Sequence, residues 1–177
     1  MKKILFCLVF AVLLLSCNNE ADKTTASTTD TSTTSTVTLP YTASYSSSWT
    51  TDVSDADLKL VLTSYKDWAD GNMTGLANAF GDTLVFDSWN GDHMTLGKAD
   101  LLKMWTGFRD SLSSVTIDME AWDKKYSTDK KQGFIVVWYK ETDTYKDGRV
   151  DSSRWHDINQ VKNGKIAYYS QFKRQLK

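Results

Sequence analysis

The sequence predicts an α+β domain, with helices packed on one face of a strongly curved antiparallel sheet. Three observations predict it. Apolar residues recur at helical spacing from Leu58 to Leu112. From Val115 onward the chain changes to runs that alternate or are rich in β-branched and aromatic residues. Asn-Gly and Asp-Gly pairs punctuate the strand-like runs, and these pairs favour tight hairpin turns.

Each element follows from local chemistry. Ser54 followed by Asp57 resembles a capping box with aspartate in place of glutamate, and Leu58, Val61, Leu62, Tyr65, Trp68 and Ala69 then form one apolar helix face. Asp70-Gly71-Asn72 ends that helix. Met73, Leu76, Ala77 and Phe80 give a second, shorter helical stripe that stops before Gly81. Leu84 to Trp89 reads as a strand, and Asn90-Gly91 turns it back. After Gly97 a further amphipathic helix carries Leu101, Leu102, Trp105, Phe108 and Leu112 on one face. Val115, Ile117, Met119 and Ala121 alternate with Thr116, Asp118 and Glu120, which predicts a half-buried strand. Phe134 to Thr142, Val150 to Val161 and Lys165 to Phe172 complete an antiparallel meander, with turns at Asp147-Gly148 and Asn163-Gly164.

Ahead of this domain the sequence has two other regions. Residues 1–17, MKKILFCLVFAVLLLSC, place two lysines before an apolar run and end at a small residue followed by cysteine, the pattern of a secretory signal with a lipobox. Ile4 to Leu15 is shorter than the roughly 20 apolar residues that a membrane-spanning helix needs. Cys17 is therefore expected to carry lipid and to anchor the mature chain on the membrane, several acyl chains contributing about 0.8 kcal/mol per buried methylene. Asn18 rather than aspartate after it favours the outer membrane of the cell envelope. Residues 18–51 are dominated by threonine and serine and bury too little apolar surface to fold, so they read as a tether. The domain proper is placed at residues 52–177.

Composition removes several function classes. Cys7 lies within the signal and Cys17 is the lipidation site, which leaves no thiol for catalysis, disulfides or metal ligation in the mature chain. Without Lys2 and Lys3 the 21 basic residues fall to 19 against 22 acidic ones, a net charge of −3 with no basic stripe for nucleic acid. No Gly-x-Ser-x-Gly elbow or phosphate-binding loop occurs. His93 and His156 are the only histidines and show no metal-ligand spacing, so neither a metal nor another cofactor is expected.

The segment DGNMTGLANAFGDTLVFDSWNGDHMTLGKADLLKMW and the closing NQVKNGKIAYYSQF together resemble the NTF2-like (SnoaL-like) superfamily. The likeness extends over nearly all of residues 52–172. It implies a cone whose mouth is lined by the first helix and the concave sheet face. By analogy with that superfamily's ketosteroid isomerases, Tyr65 falls where a helix tyrosine stands and Asp87 where a general base stands, with Ser88 in place of the usual proline. A late acid falls on His156 or Asp157. Because neighbours on a strand point to opposite faces, either Trp155 and Asp157 or Arg154 and His156 enter the cone, and His156 is favoured. Trp68, Trp105, Trp122 and Trp138 serve either as core or as walls for a flat apolar ligand.

Three functions compete on these grounds. The first is a membrane-tethered module that binds a small apolar or aromatic molecule in the cone. The second is an isomerase- or cyclase-type enzyme with Asp87 as base. The third is an interaction module that forms homodimers through the outer sheet face.

Overall fold

The structure, a computed structural model, describes residues 38–177. The signal over residues 1–17, lipidation at Cys17 and the tether as far as residue 37 lie outside the described residues. Among the described residues no helix is long and apolar enough to cross a membrane.

Among the described residues, three helices and seven strands run in the order β1 (Trp49–Thr50), α1 (Asp55–Asp70), α2 (Met73–Ala79), β2 (Phe80–Asp87), β3 (His93–Gly97), α3 (Lys98–Arg109), β4 (Leu112–Ser127), β5 (Gln132–Tyr145), β6 (Val150–Lys162) and β7 (Lys165–Gln175). The α+β class and the order of the elements match the sequence expectation. The Ser54 hydroxyl accepts from the Asp57 N–H at 3.0 Å and starts α1. Gly71 ends it in the left-handed region, at φ 72°, with its N–H returned to the carbonyls of the last turn. Leu112 departs from the sequence expectation. The α3 helix stops at Arg109, and Leu112 opens β4 instead, buried on the inner face.

The sheet order is β1-β4-β5-β6-β7-β2-β3. The strands β4 to β7 form the expected meander, while β2 joins β7 in parallel through Phe80↔Ile166 and Phe86↔Tyr169. Register shifts at Met119/Ala121 in β4 and near Val161 in β6 act as bulges, which increase local bend and twist. The sheet curves without closing, and its inner face packs on the helices. Val61 of α1, Leu84 of β2, Leu101 of α3, Ile135 and Val137 of β5 and Ile166 of β7 are fully buried at that junction. Each such side chain contributes about 2 kcal/mol by leaving water.

The folded part starts earlier than residue 52. Trp49 and Thr50 pair with Ser127 and Tyr126 of β4. Ser46 is buried, bonding Asp129 at 2.5 Å and receiving the Ser127 hydroxyl at 3.0 Å. Tyr45 and Trp49 pack against Phe134, with ring centroids 6.3 and 5.9 Å away. These aromatics supply the apolar contact that the surrounding serines and threonines lack, so packed structure is present from Tyr45.

Candidate functional site

The concave sheet face and the three helices enclose a cavity of about 460 Å³. Its walls are aromatic. Trp68 of α1 stacks on Phe108 of α3 at 6.0 Å, Phe86 on Tyr169 at 5.4 Å, and Tyr139 on Trp155 at 6.3 Å. Trp105 meets Phe80 edge to face at 4.9 Å. Helix placement is fixed by Arg109 at the end of α3, which donates to the Trp68 and Ala69 carbonyls at 3.2 and 3.1 Å. Those carbonyls lie in the last turn of α1, where helical partners run out and the dipole favours a cation.

Asp157 of β6 lies beneath this cavity, fully buried. One carboxylate oxygen, Oδ2, accepts from Tyr65 at 3.0 Å, Tyr139 at 2.8 Å and Tyr169 at 2.7 Å. The phenols are themselves held: Asn159 donates to Tyr65 Oη at 3.1 Å and Gln171 to Tyr169 Oη at 2.8 Å. The other oxygen, Oδ1, has no hydrogen-bond partner. Burial pushes the Asp157 carboxyl up to about 7, against the opposing pull of the three phenols. Burial, and then the Asp157 charge, push all three phenols well above their ordinary value.

A second acid stands above the floor. Glu141 of β5 is 7% exposed and accepts from Trp68 Nε1 at 3.2 Å. Burial first, and the neighbouring charges of Asp143 and Asp157 next, push it up to about 8. Asp143, two residues nearer the rim, is also raised by burial, with Lys173 of β7 opposing. At neutral pH Asp157 and Glu141 sit close to the midpoint between acid and base. The cavity can therefore hold or release a proton without large cost.

The sequence-predicted residues divide across the sheet. Tyr65 and Asp157 meet at the cavity floor, and Trp68 and Trp105 line its walls. Asp87 does not join them. Phe86 takes the inner face of β2, so Asp87 points outward, where it accepts from Tyr168 Oη at 2.6 Å and meets His93 Nδ1 at 2.5 Å. Those two partners hold its carboxyl below the usual range, the wrong direction for a base at neutral pH. His156 is likewise corrected. Asp157 pairs with the buried Val137 and shares its inner face, which turns His156 outward between Trp138 at 5.0 Å and Phe172 at 5.7 Å. Trp138 thus belongs to the outer face, and Trp122, 51% exposed, does not line the cavity.

Sequence reasoning missed Tyr139, Glu141 and Asp143 of β5, Asn159 of β6, and Tyr169, Gln171 and Lys173 of β7 as cavity residues, and Trp155 of β6 enters it as the less favoured alternative had it. One signal for part of this was present. Tyr139, Glu141, Asp143 and Tyr145 occupy every second position of one strand, so a single face carries them all.

No family model matches the chain, and no curated protein matches it. Solved structures do. A structure-based likeness joins the chain to an epoxide hydrolase of the LEH-like type from M. tuberculosis, with a TM-score of 0.57 at 8% identity over 67% of this chain and 83% of that one. AusH from Aspergillus nidulans gives 0.56 at 12% identity, covering 69% and 86%. An NTF2-like protein of unknown function from Burkholderia pseudomallei also gives 0.56 at 12%, covering 68% and 92%. Together with the curved, unclosed sheet and the three helices on its inner face, these likenesses show that the chain has the NTF2-like cone fold.

Proposed function

We propose that this protein binds a small, largely apolar molecule in the cone, and that Cys17 tethers it as a lipoprotein to the cell envelope. The observation that carries the binding function is the aromatic-walled cavity of about 460 Å³ with a fully buried, half-satisfied carboxylate, Asp157, beneath it. That volume falls within the range of roughly 300–1,000 Å³ typical of small-molecule sites, and an apolar lining with a few convergent polar groups is the usual composition. Native mass spectrometry of protein purified with its co-extracted lipids tests it. A retained small molecule that is lost on Trp155→Ala supports binding in the cone, and a ligand-free spectrum that no added lipid changes removes it. Labelling of the chain by a radioactive fatty acid, abolished by Cys17→Ser, tests the anchor.

Enzymatic proton transfer is the second function, favoured by one specific observation. Asp157, with a carboxyl near 7 and three phenols on one oxygen, has the chemistry that the sequence expectation assigned to Asp87. A carboxylate there takes a proton from carbon next to a carbonyl, and one of the phenols, turning its O–H from Oδ2 to the substrate oxygen, steadies the resulting oxyanion. Assay of a ketosteroid panel decides this. Turnover that falls roughly a hundredfold or more in Asp157→Asn but not in Asp87→Asn supports it. A wild-type protein inert on every member sinks it.

A further inference from the structure

The polar groups of the cavity are unbalanced in sign. Glu141 and Asp143 stand one above the other on the inner face of β5, at alternate positions between floor and rim, and Asp157 lies below them. Asp157 Oδ1 and Asp143 Oδ1 are buried and accept no hydrogen bond. The basic side chain lining this cavity is Lys173, whose charge opposes the rise at Glu141 and Asp143 but which forms no salt bridge with any of the three acids. Its ammonium instead lies 4.8 Å from the ring centroid of Trp89 and 5.0 Å from that of Trp155.

Lys173 shows what this wall accepts. An alkylammonium held over two indole faces is stabilised by their negative quadrupoles, and the attraction grows as water is excluded. Beyond it lie carboxylates without a salt-bridge partner, and a buried acid without one is costly as an anion. The three acids do not gather into a metal-ligating group among the described residues. A cation carried on an apolar body therefore fits where a bare metal ion does not. The body meets the aromatic wall, and the charge meets the acids.

We propose that the molecule taken by the cone carries a protonated amine on a flat apolar body, with its ammonium directed to Glu141 and Asp143. This rests on the cone being a binding site. A neutral molecule of the same shape fills the same wall but leaves the acids unpaired. A carboxylate sets like charges together, so the ranking of affinities is amine, then hydrocarbon, then acid.

Phenethylamine, ethylbenzene and phenylacetate share one ring and differ in the group at the end of its chain. Each is titrated against the full chain in lipid nanodiscs, with the fluorescence of the cavity tryptophans as the readout and empty nanodiscs as blank. Phenethylamine is expected to bind roughly tenfold or more tighter than either of the others. In the variant carrying Glu141→Gln and Asp143→Asn that advantage over ethylbenzene should shrink to about threefold or less, with ethylbenzene affinity unchanged. The wild-type ranking decides the matter even where the variant does not fold. Ethylbenzene or phenylacetate binding as tightly as phenethylamine overturns the charge selection and leaves the cone a binding site. Absence of any response to all three overturns both.

Discussion

Two acids define the chemistry of this protein at the scale of single residues. In the folded chain Asp157 titrates at about 7 and Glu141 at about 8, against ordinary values of 3.8 and 4.5. Folding therefore retains protons that the unfolded chain releases as the pH rises through about 4 to 8, and over that window stability falls with rising pH. Each retained proton steepens the fall by on the order of 1 kcal/mol per pH unit. Melting curves from about pH 5 to 8 are expected to show a steadily declining Tm. Glu141→Gln removes one titrating group, so it should flatten the decline between about pH 5 and 8 and raise Tm at the alkaline end. A variant profile parallel to that of the wild type would show that Glu141 ionises like an exposed glutamate. Glu141 was not legible in the sequence, and Asp157 was named only as the alternative to His156, because acids are almost never fully buried and an acid in a strand is read as surface. Asp87 and His156 misled for a related reason. Each stands beside the residue that truly faces inward, Phe86 or Asp157, and a one-position ambiguity along a strand exchanges its two faces. Strand pairing resolves that ambiguity, and pairing is not written in the local sequence.

At the scale of elements, local signals served well wherever the determinant was local. The Ser54 cap, the left-handed Gly71 and the Asn90-Gly91 turn each settle a boundary through a few neighbouring atoms, and each is found where the sequence puts it. The segment from Tyr45 to Thr51 was misassigned because its order depends on β4 and Phe134, more than 75 residues away in sequence. Arg109 is another long-range device. It binds α3 to the end of α1 through two carbonyls and keeps Trp68 stacked on Phe108. Replacing it leaves those carbonyls without their cationic donor. Arg109→Ala should cost about 1–3 kcal/mol in urea denaturation, because bonds from a charged donor are stronger than neutral ones. The Arg109→Lys variant should recover only part of that, since one ammonium does not span both acceptors as a guanidinium fork does. Full recovery by lysine would show that charge alone matters there.

The molecule as a whole presents two unlike faces of one sheet. The inner face closes on the cavity. The outer face carries Val136 and Ile158 along a groove, with Trp138, His156 and Phe172 in the next row, and Phe172 is 55% exposed. We propose that this apolar face is where two copies of the chain meet. Light scattering on the purified protein should then give the mass of a dimer, and Trp138→Asp, which sets a charge in the patch, should give the mass of one chain. A monomeric wild type removes the dimer. The general architecture was legible because helix and strand periodicities differ and both are strong here. The parallel contact of β2 with β7 was not, since it joins segments about 80 residues apart and leaves no local mark.

That contact has a consequence for the order in which the protein comes into being. The β2–β3 hairpin touches the rest of the sheet only through β7. Tyr169, Gln171 and Lys173, which help build the floor and mouth of the cavity, lie on the same strand. A ribosome that has made everything up to Lys162 has therefore made three strands of the meander and three helices, but not the whole lining of the cavity. Its hairpin has no strand of the meander to pair with. A chain cut anywhere before β7 therefore loses part of its cavity lining together with the sheet pairing of its first hairpin.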